Sequence, residues 1–141
     1  QAYRDAWTHV ASDEGRGRPM FLGGKSMGGR IATQITAGAD LQPRPAGVVC
    51  FGYPLHPPGR PAQRRDRHLP TMACPVLFLH GTRDPFGTPE EMRELAAWVP
   101  HATLSIVDGG DHSLVVPAKG GPEAAFARVL DTAAAWILQR I

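Results

Sequence analysis

Met20-Phe21-Leu22-Gly23-Gly24-Lys25-Ser26-Met27-Gly28-Gly29-Arg30 decides how this chain is read. The apolar triplet Met20-Phe21-Leu22 has strand character, and it runs into Gly24-Lys25-Ser26-Met27-Gly28 ahead of a stretch compatible with a helix. A G-x-S-x-G turn between strand and helix puts its serine on a sharp, strained bend, where side chains at the flanking positions would strike neighbouring backbone. The Ser26 hydroxyl is thereby left exposed. The N–H of Met27 and the positive end of the next helix then point to where an oxyanion would develop. A serine so placed is useful only with a base and an orienting acid, and both must come from elsewhere in the chain.

Gly24-Lys25-Ser26 also looks like the end of a phosphate-binding G-x-x-x-x-G-K-S loop. Position 19, where that motif needs its first glycine, is proline, which rejects the nucleotide reading. Lys25, in the free position of the elbow, is expected to face solvent or a nearby carboxylate.

Working outward, Tyr3, Ala6, Trp7 and Val10 recur at helical spacing, and residues 2–11 are expected to form a helix with that stripe inward. After the elbow, residues 27–39 read as a helix presenting Ile31, Ala32 and Ile35, and Ala46 to Phe51 as a strand buried on both faces. The connection 53–74 is rich in proline and arginine, with a short helix expected over Gln63 to His68, opened by Pro61. Val76 to Leu79 reads as a third buried strand. Thr88-Pro89-Glu90-Glu91 is a capping box with proline at the first helical position, followed by the inward stripe Met92, Leu95, Ala96 and Val99 and stopped by Pro100. Thr103 to Val107 gives a fourth strand. Pro122 to Gln139 gives a closing helix with Phe126, Val129, Leu130, Ala133 and Ile137 toward the sheet. Trp7, Trp98 and Trp136 lie on helices and are read as core or its rim.

Strands alternating with helices imply an α/β fold, a mostly parallel sheet flanked by helices on both faces. Ligands of such sheets collect at the carboxyl ends of the strands, and the loops there are rich in polar residues. Asp84 follows the third strand in His80-Gly81-Thr82-Arg83-Asp84-Pro85-Phe86-Gly87, and His112 follows the fourth in Asp108-Gly109-Gly110-Asp111-His112-Ser113. Ser26 as nucleophile, His112 as general base and Asp84 as the acid that orients it therefore form the candidate triad, with Met27 N–H as an oxyanion donor. Asp108 and Asp111 compete with Asp84, although Asp111 is too near in sequence to swing behind the His112 ring easily. Tyr53, His56 and Phe86 are candidate substrate contacts, in a pocket expected to be roofed by residues 53–70. His80 is expected to pack or hydrogen-bond at the end of its strand, and Arg64, Arg65 and Arg67 to form a solvated face.

The 141 residues leave room for one domain, 1–141, around one core; 43% are hydrophobic and 20% charged. The formal net charge of +2 comes almost wholly from arginine, since Lys25 and Lys119 are the sole lysines, and it is too small to imply nucleic acid. No apolar run approaches the roughly 20 residues that span a bilayer, so no membrane role is expected. Cys50 and Cys74 sit in or beside apolar runs without metal-type spacing and read as buried thiols of a reducing compartment. With no secretion signal in view, a cytoplasmic location is expected.

GGKSMGGR at 23–30, GYPLHPPG at 52–59, HGTRDPFG at 80–87 and GDHS at 110–113 together resemble the later half of an α/β-hydrolase. In detail they are similar to the dienelactone-hydrolase-related group that includes the KANL3/Tex30 family of hydrolase-like proteins. The resemblance implies a serine hydrolase acting on an ester, thioester or related acyl substrate, with no metal and no organic cofactor. It departs at the front, where such folds carry further strands and the loop that supplies a second oxyanion N–H. An N-terminally truncated chain is therefore expected, or one completed by a partner chain or a second copy covering the edge of the elbow strand. A non-catalytic interaction module is the alternative reading.

Overall fold

The computed structural model describes residues 1–13, 15–117 and 121–141. Four helices, α1 (Ala2–Asp13), α2 (Met27–Thr36), α3 (Pro89–Trp98) and α4 (Pro122–Leu138), alternate with four strands, β1 (Phe21–Lys25), β2 (Gly47–Phe51), β3 (Val76–Gly81) and β4 (Ala102–Val107). The strands lie in the order β1-β2-β3-β4, all parallel, with Leu22 opposite Val48, Val48 opposite Val76 and Val76 opposite Ala102. This is the α/β arrangement expected from the alternating pattern. Among the described residues, no helix is long and apolar enough to cross a membrane.

Strand residues alternate between two cores because successive side chains point to opposite faces. Val48, Cys50, Val76 and Phe78 join Ala32 of α2 and Met92 and Leu95 of α3 on one face. Val49, Leu77 and Leu79 meet Val129, Ala133 and Trp136 of α4 on the other. Strands covered on both sides in this way are apolar throughout, which is why β2 and β3 show no period-two pattern. Cys50 and Cys74 are buried free thiols, and burial pushes both up from the usual thiol value, Cys50 far above it.

Helix faces depart from the expected stripes at both ends of the chain. On α1, Trp7 and Ala11 are buried against Ile35 and Leu41, whereas Tyr3 and Val10 are exposed. The Trp7 indole N–H donates to the Pro43 carbonyl at 2.8 Å, fixing that ring and with it the roll of the helix. On α4, the buried line is Ala125, Val129, Ala133 and Trp136, leaving Phe126 and Leu130 exposed. Alanines on that line let the helix approach closely, and Trp136 settles edge-on to Phe21 with its N–H donating to Thr103. Trp98 is 44% exposed rather than core.

The connection 53–74 also differs from expectation. Residues 63–66 are irregular and 67–68 form a turn, and the only helical turn there is the 3-10 segment Leu69–Thr71. Its backbone is committed across the loop: Arg65 N–H donates to the Leu55 carbonyl at 2.8 Å and the Arg65 carbonyl accepts the Tyr53 hydroxyl at 2.7 Å. Arg64 pairs with Asp66 at 2.6 Å, so part of the arginine-rich run is internally compensated.

The α3 capping box is complete, with Glu91 N–H donating to Thr88 Oγ1 at 3.2 Å and Thr88 N–H to Glu91 Oε2 at 2.8 Å. Thr88→Ala is expected to lower stability by about 1 kcal/mol. Urea unfolding checks this, and a midpoint equal to that of the parent would count the box as idle.

Candidate active site

Ser26 stands between the end of β1 and the start of α2 at φ 51 and ψ −119, a left-handed conformation that a serine adopts only where its surroundings impose it. The bend is tight. A Cβ on Gly24 would lie 2.5 Å from the carbonyl carbon of Gly28 and 2.6 Å from Gly29 N, so only glycine lets strand and helix meet here. Ser26 N–H donates to the Phe51 carbonyl at 3.0 Å, extending the β1-β2 ladder to the serine itself. Met27 is the first helical residue, and its N–H belongs to the first turn, whose donors have no intrahelical acceptor. Its side chain is 65% exposed, so the backbone alone carries its expected role.

His112 arrives from the loop after β4. Asp111 holds that loop, its Oδ1 accepting from Ser113 N–H at 2.8 Å and Val115 N–H at 3.0 Å. Asp111 is thereby occupied, and Asp108 is exposed; neither takes the place beside the imidazole. Gly52, at φ 67, lies so close to the His112 carbonyl that any Cβ would overlap it, and this close approach seats the histidine loop on the end of β2.

Asp84 sits in the turn after β3 with no side-chain exposure. Its Oδ1 accepts Phe86 N–H at 2.8 Å and its Oδ2 lies 2.8 Å from His112 Nδ1. The other imidazole nitrogen, Nε2, lies 2.8 Å from Ser26 Oγ. A carboxylate only accepts, so Nδ1 carries the hydrogen and Nε2 offers a lone pair to the serine hydroxyl. The structure thus brings Ser26, His112 and Asp84 together across 86 positions of sequence between serine and histidine.

The expected substrate contacts fare differently. Tyr53 is completely buried, its ring edge-on to Phe78 and its hydroxyl spent on Arg65, so it is a core residue rather than a pocket wall. His56 is only 5% exposed, with both ring nitrogens committed to Pro57 and Glu91, and is likewise turned inward. Both corrections share a cause. The proline-rich connection folds its apolar side onto the α2 and α3 core, burying Leu55 and Leu69 together with Tyr53. Phe86 is half-buried and stacks on the His112 ring, with centroids 4.1 Å apart and planes at 29°.

His80 ends up behind the acid. Its ring is fully buried, Nε2 donates to the Gly87 carbonyl at 2.8 Å, and Nδ1 has no hydrogen-bond partner among the described residues. Burial holds this imidazole below its ordinary pKa, in the neutral form. The 3.7 Å separation between Nδ1 and Asp84 Oδ2 is therefore a contact of a lone pair with a carboxylate, not an ion pair. The motif placed His80 at a strand end; no sequence signal told that it would lie behind Asp84.

An apolar cavity of about 320 Å³ opens beside the site, lined by Lys25, Phe51, Ser113, Phe126 and Leu130. Lys25 and Ser113 are the immediate neighbours of Ser26 and His112 in sequence. Lys25 is exposed, as expected for the free position of the elbow.

The whole chain, residues 1–141, matches the model of the alpha/beta hydrolase domain, and the chain belongs to that family. Solved structures agree at the level of fold. The esterase domain of a Rhodothermus marinus protein superposes with a TM-score of 0.69 at 20% identity, covering 96% of this chain and 66% of its own. A thermophilic esterase from Thermogutta terrifontis, bound to malate, gives 0.68 at 18% identity, over 96% and 71%. A zinc-bound, cold-adapted esterase from an Arctic intertidal metagenomic library gives 0.64 at 24% identity, over 99% and 56%. Several of these relatives are much longer, the chain spanning 66% of the first and 49% of a serine hydrolase homologue from Coxiella burnetii.

Gly24→Ala is expected to spring the elbow, since a methyl group at 2.5 Å from backbone cannot be accommodated. Thermal unfolding should show a loss of about 1–3 kcal/mol or more. An unchanged melting temperature would mean that the turn relaxes freely.

Proposed function

We propose that this chain is a serine hydrolase of esters, thioesters or related acyl compounds, working through a covalent acyl intermediate on Ser26. One observation carries the reading: His112 lies 2.8 Å from Ser26 Oγ through one ring nitrogen and 2.8 Å from Asp84 Oδ2 through the other. A free serine hydroxyl is a poor nucleophile, and here its proton has an aligned acceptor. As Ser26 Oγ attacks the substrate carbonyl carbon, His112 Nε2 takes the hydroxyl proton, and the carbonyl π electrons move to the oxygen. Met27 N–H donates to that oxyanion, and Asp84 stabilises the imidazolium that forms. Collapse restores the carbonyl, breaks the bond to the leaving group and returns the proton to it from His112. Water then attacks the acyl-serine by the same relay and frees the acid.

The apolar cavity beside Lys25 and Ser113 favours an apolar acyl or alcohol part over a charged one. No step calls for a metal or an organic cofactor. Within the family, the motifs at 52–59 and 80–87 support a place near the dienelactone-hydrolase-related KANL3/Tex30 group. A second reading, an interaction module that pairs with another chain, is favoured by β1 lying at the border of the sheet with Phe21 and Leu22 half-buried.

A fluorophosphonate probe and p-nitrophenyl acetate test the enzyme reading together. Labelling is expected at Ser26 and is expected to vanish in Ser26→Ala, while Asp84→Asn is expected to slow ester turnover on the order of 10⁴-fold. A folded protein that neither labels nor turns over the ester would leave the interaction module.

A further inference from the structure

His56 touches none of the reacting groups, yet its ring is held in one protonation state by its partners. Nδ1 faces the Pro57 carbonyl at 2.9 Å, and Nε2 faces Glu91 Oε2 at 3.0 Å. A carbonyl oxygen can only accept, and the Glu91 oxygen already accepts the Thr88 N–H as part of the capping box. Both contacts are hydrogen bonds only when each ring nitrogen carries a hydrogen. The pair is then an imidazolium against a carboxylate, with the histidine 5% exposed.

A short path of contacts leads from this pair to the candidate triad. His56 N–H donates to the Phe86 carbonyl at 3.0 Å. Phe86 N–H donates in turn to Asp84 Oδ1 at 2.8 Å, and the Phe86 ring stacks on His112. The residue that α3 grips through its first turn therefore grips the turn that carries the acid.

We propose that His56 and Glu91 are a positioning pair for the hydrolysis set out above, on which this inference rests: the ion pair holds the Asp84-to-Phe86 turn against His112, and alignment is lost when His56 gives up a proton. Two charged groups face His56. Glu91, from α3, stabilises the imidazolium; Arg64, from the 53–74 connection, opposes it and is itself paired with Asp66. Burial works against the charge, but the hydrogen bonds to Pro57 and Glu91 outweigh it and raise His56 above its ordinary value of 6.5. Glu91 moves the opposite way, below 4.5, because the Thr88 and His56 hydrogen bonds favour its charged form over the opposing cost of burial. The signs follow. A raised histidine contributes fully below pH 6.5 and loses its contribution as pH climbs through the raised value. A lowered glutamate contributes fully above pH 4.5 and loses its contribution as pH falls through the lowered value. The pair is therefore intact between these limits, and on the alkaline side it is lost as His56 gives up its proton.

The test uses the ¹⁵N-labelled full chain, with imidazole nitrogen shifts and p-nitrophenyl acetate turnover followed over the same pH range. Both His56 nitrogens are expected to be protonated at pH 6. Turnover is expected to fall on the alkaline side at the pH where His56 titrates, and the His112 Nδ1 proton resonance to broaden there. Glu91→Gln is expected to move both events to lower pH, because the hydrogen bond and the charge that favour the imidazolium are weakened together. His56→Gln, which can still donate but does not titrate, is expected to remove the alkaline fall and to lower the plateau. A His56 that is neutral at pH 6 in the parent chain overturns the proposal without any variant. So does a Glu91→Gln profile that superposes on the parent while His56 shifts. Absence of ester turnover with a folded chain would sink the hydrolase reading separately, and the His112 proton resonance would still decide whether the pair positions that ring.

Discussion

Where the backbone of Gly24 lies against that of Gly28 and Gly29, β1 and α2 meet with no side chain between them, and the rest of the site depends on that contact. It forces Ser26 into a left-handed conformation. The strain is borne by the neighbours: the ladder to Phe51 fixes one side of the bend and the first turn of α2 fixes the other. A hydroxyl held this way loses little orientational freedom on meeting the His112 ring, because the backbone has already been ordered by folding.

The same logic extends around the rim of the sheet. Parallel strands put all their carboxyl ends on one side, so the loops after β1, β3 and β4 reach a common edge without long excursions. Asp84 is buried there with its two oxygens divided between a backbone N–H and His112. His80, neutral behind it, supplies no competing hydrogen, and the carboxylate thus has His112 as its imidazole donor. Burial strengthens that interaction, since few water dipoles remain to screen it. The two histidines differ only in surroundings: one is enclosed by strand and turn, the other opens toward the serine.

Much of this was legible in the residues. The elbow, the capping box of α3 and the four strand segments each rest on local chemistry: a glycine where a side chain would clash, a threonine hydroxyl and a glutamate three residues apart, apolar runs of strand length. The order Ser26, Asp84, His112 with respect to strand ends then placed the three side chains at one rim. Less legible were the roll of α1 and α4 and the fate of the 53–74 connection. Helical periodicity names an apolar arc wider than the line actually buried, and the choice within Phe126, Val129, Leu130 and Ala133 depends on which residue lets the helix sit closest to the sheet. Tyr53 and His56 misled for a related reason. A polar tip among prolines looks available to a ligand, but its partners, Arg65 and Glu91, lie 12 and 35 positions away.

By itself, the sequence determined the alternation of strand and helix, the sharp turn at Ser26 and the positions of Asp84 and His112 just after strand ends, because each follows from neighbours within a few residues. Only the tertiary structure decided the 2.8 Å contacts at His112, the burial of Tyr53, the orphaned nitrogen of His80 and the doubly bonded ring of His56. These depend on how closely separate elements approach. That distance is set by the packing of two faces of one sheet at once, a balance no stretch of sequence contains alone.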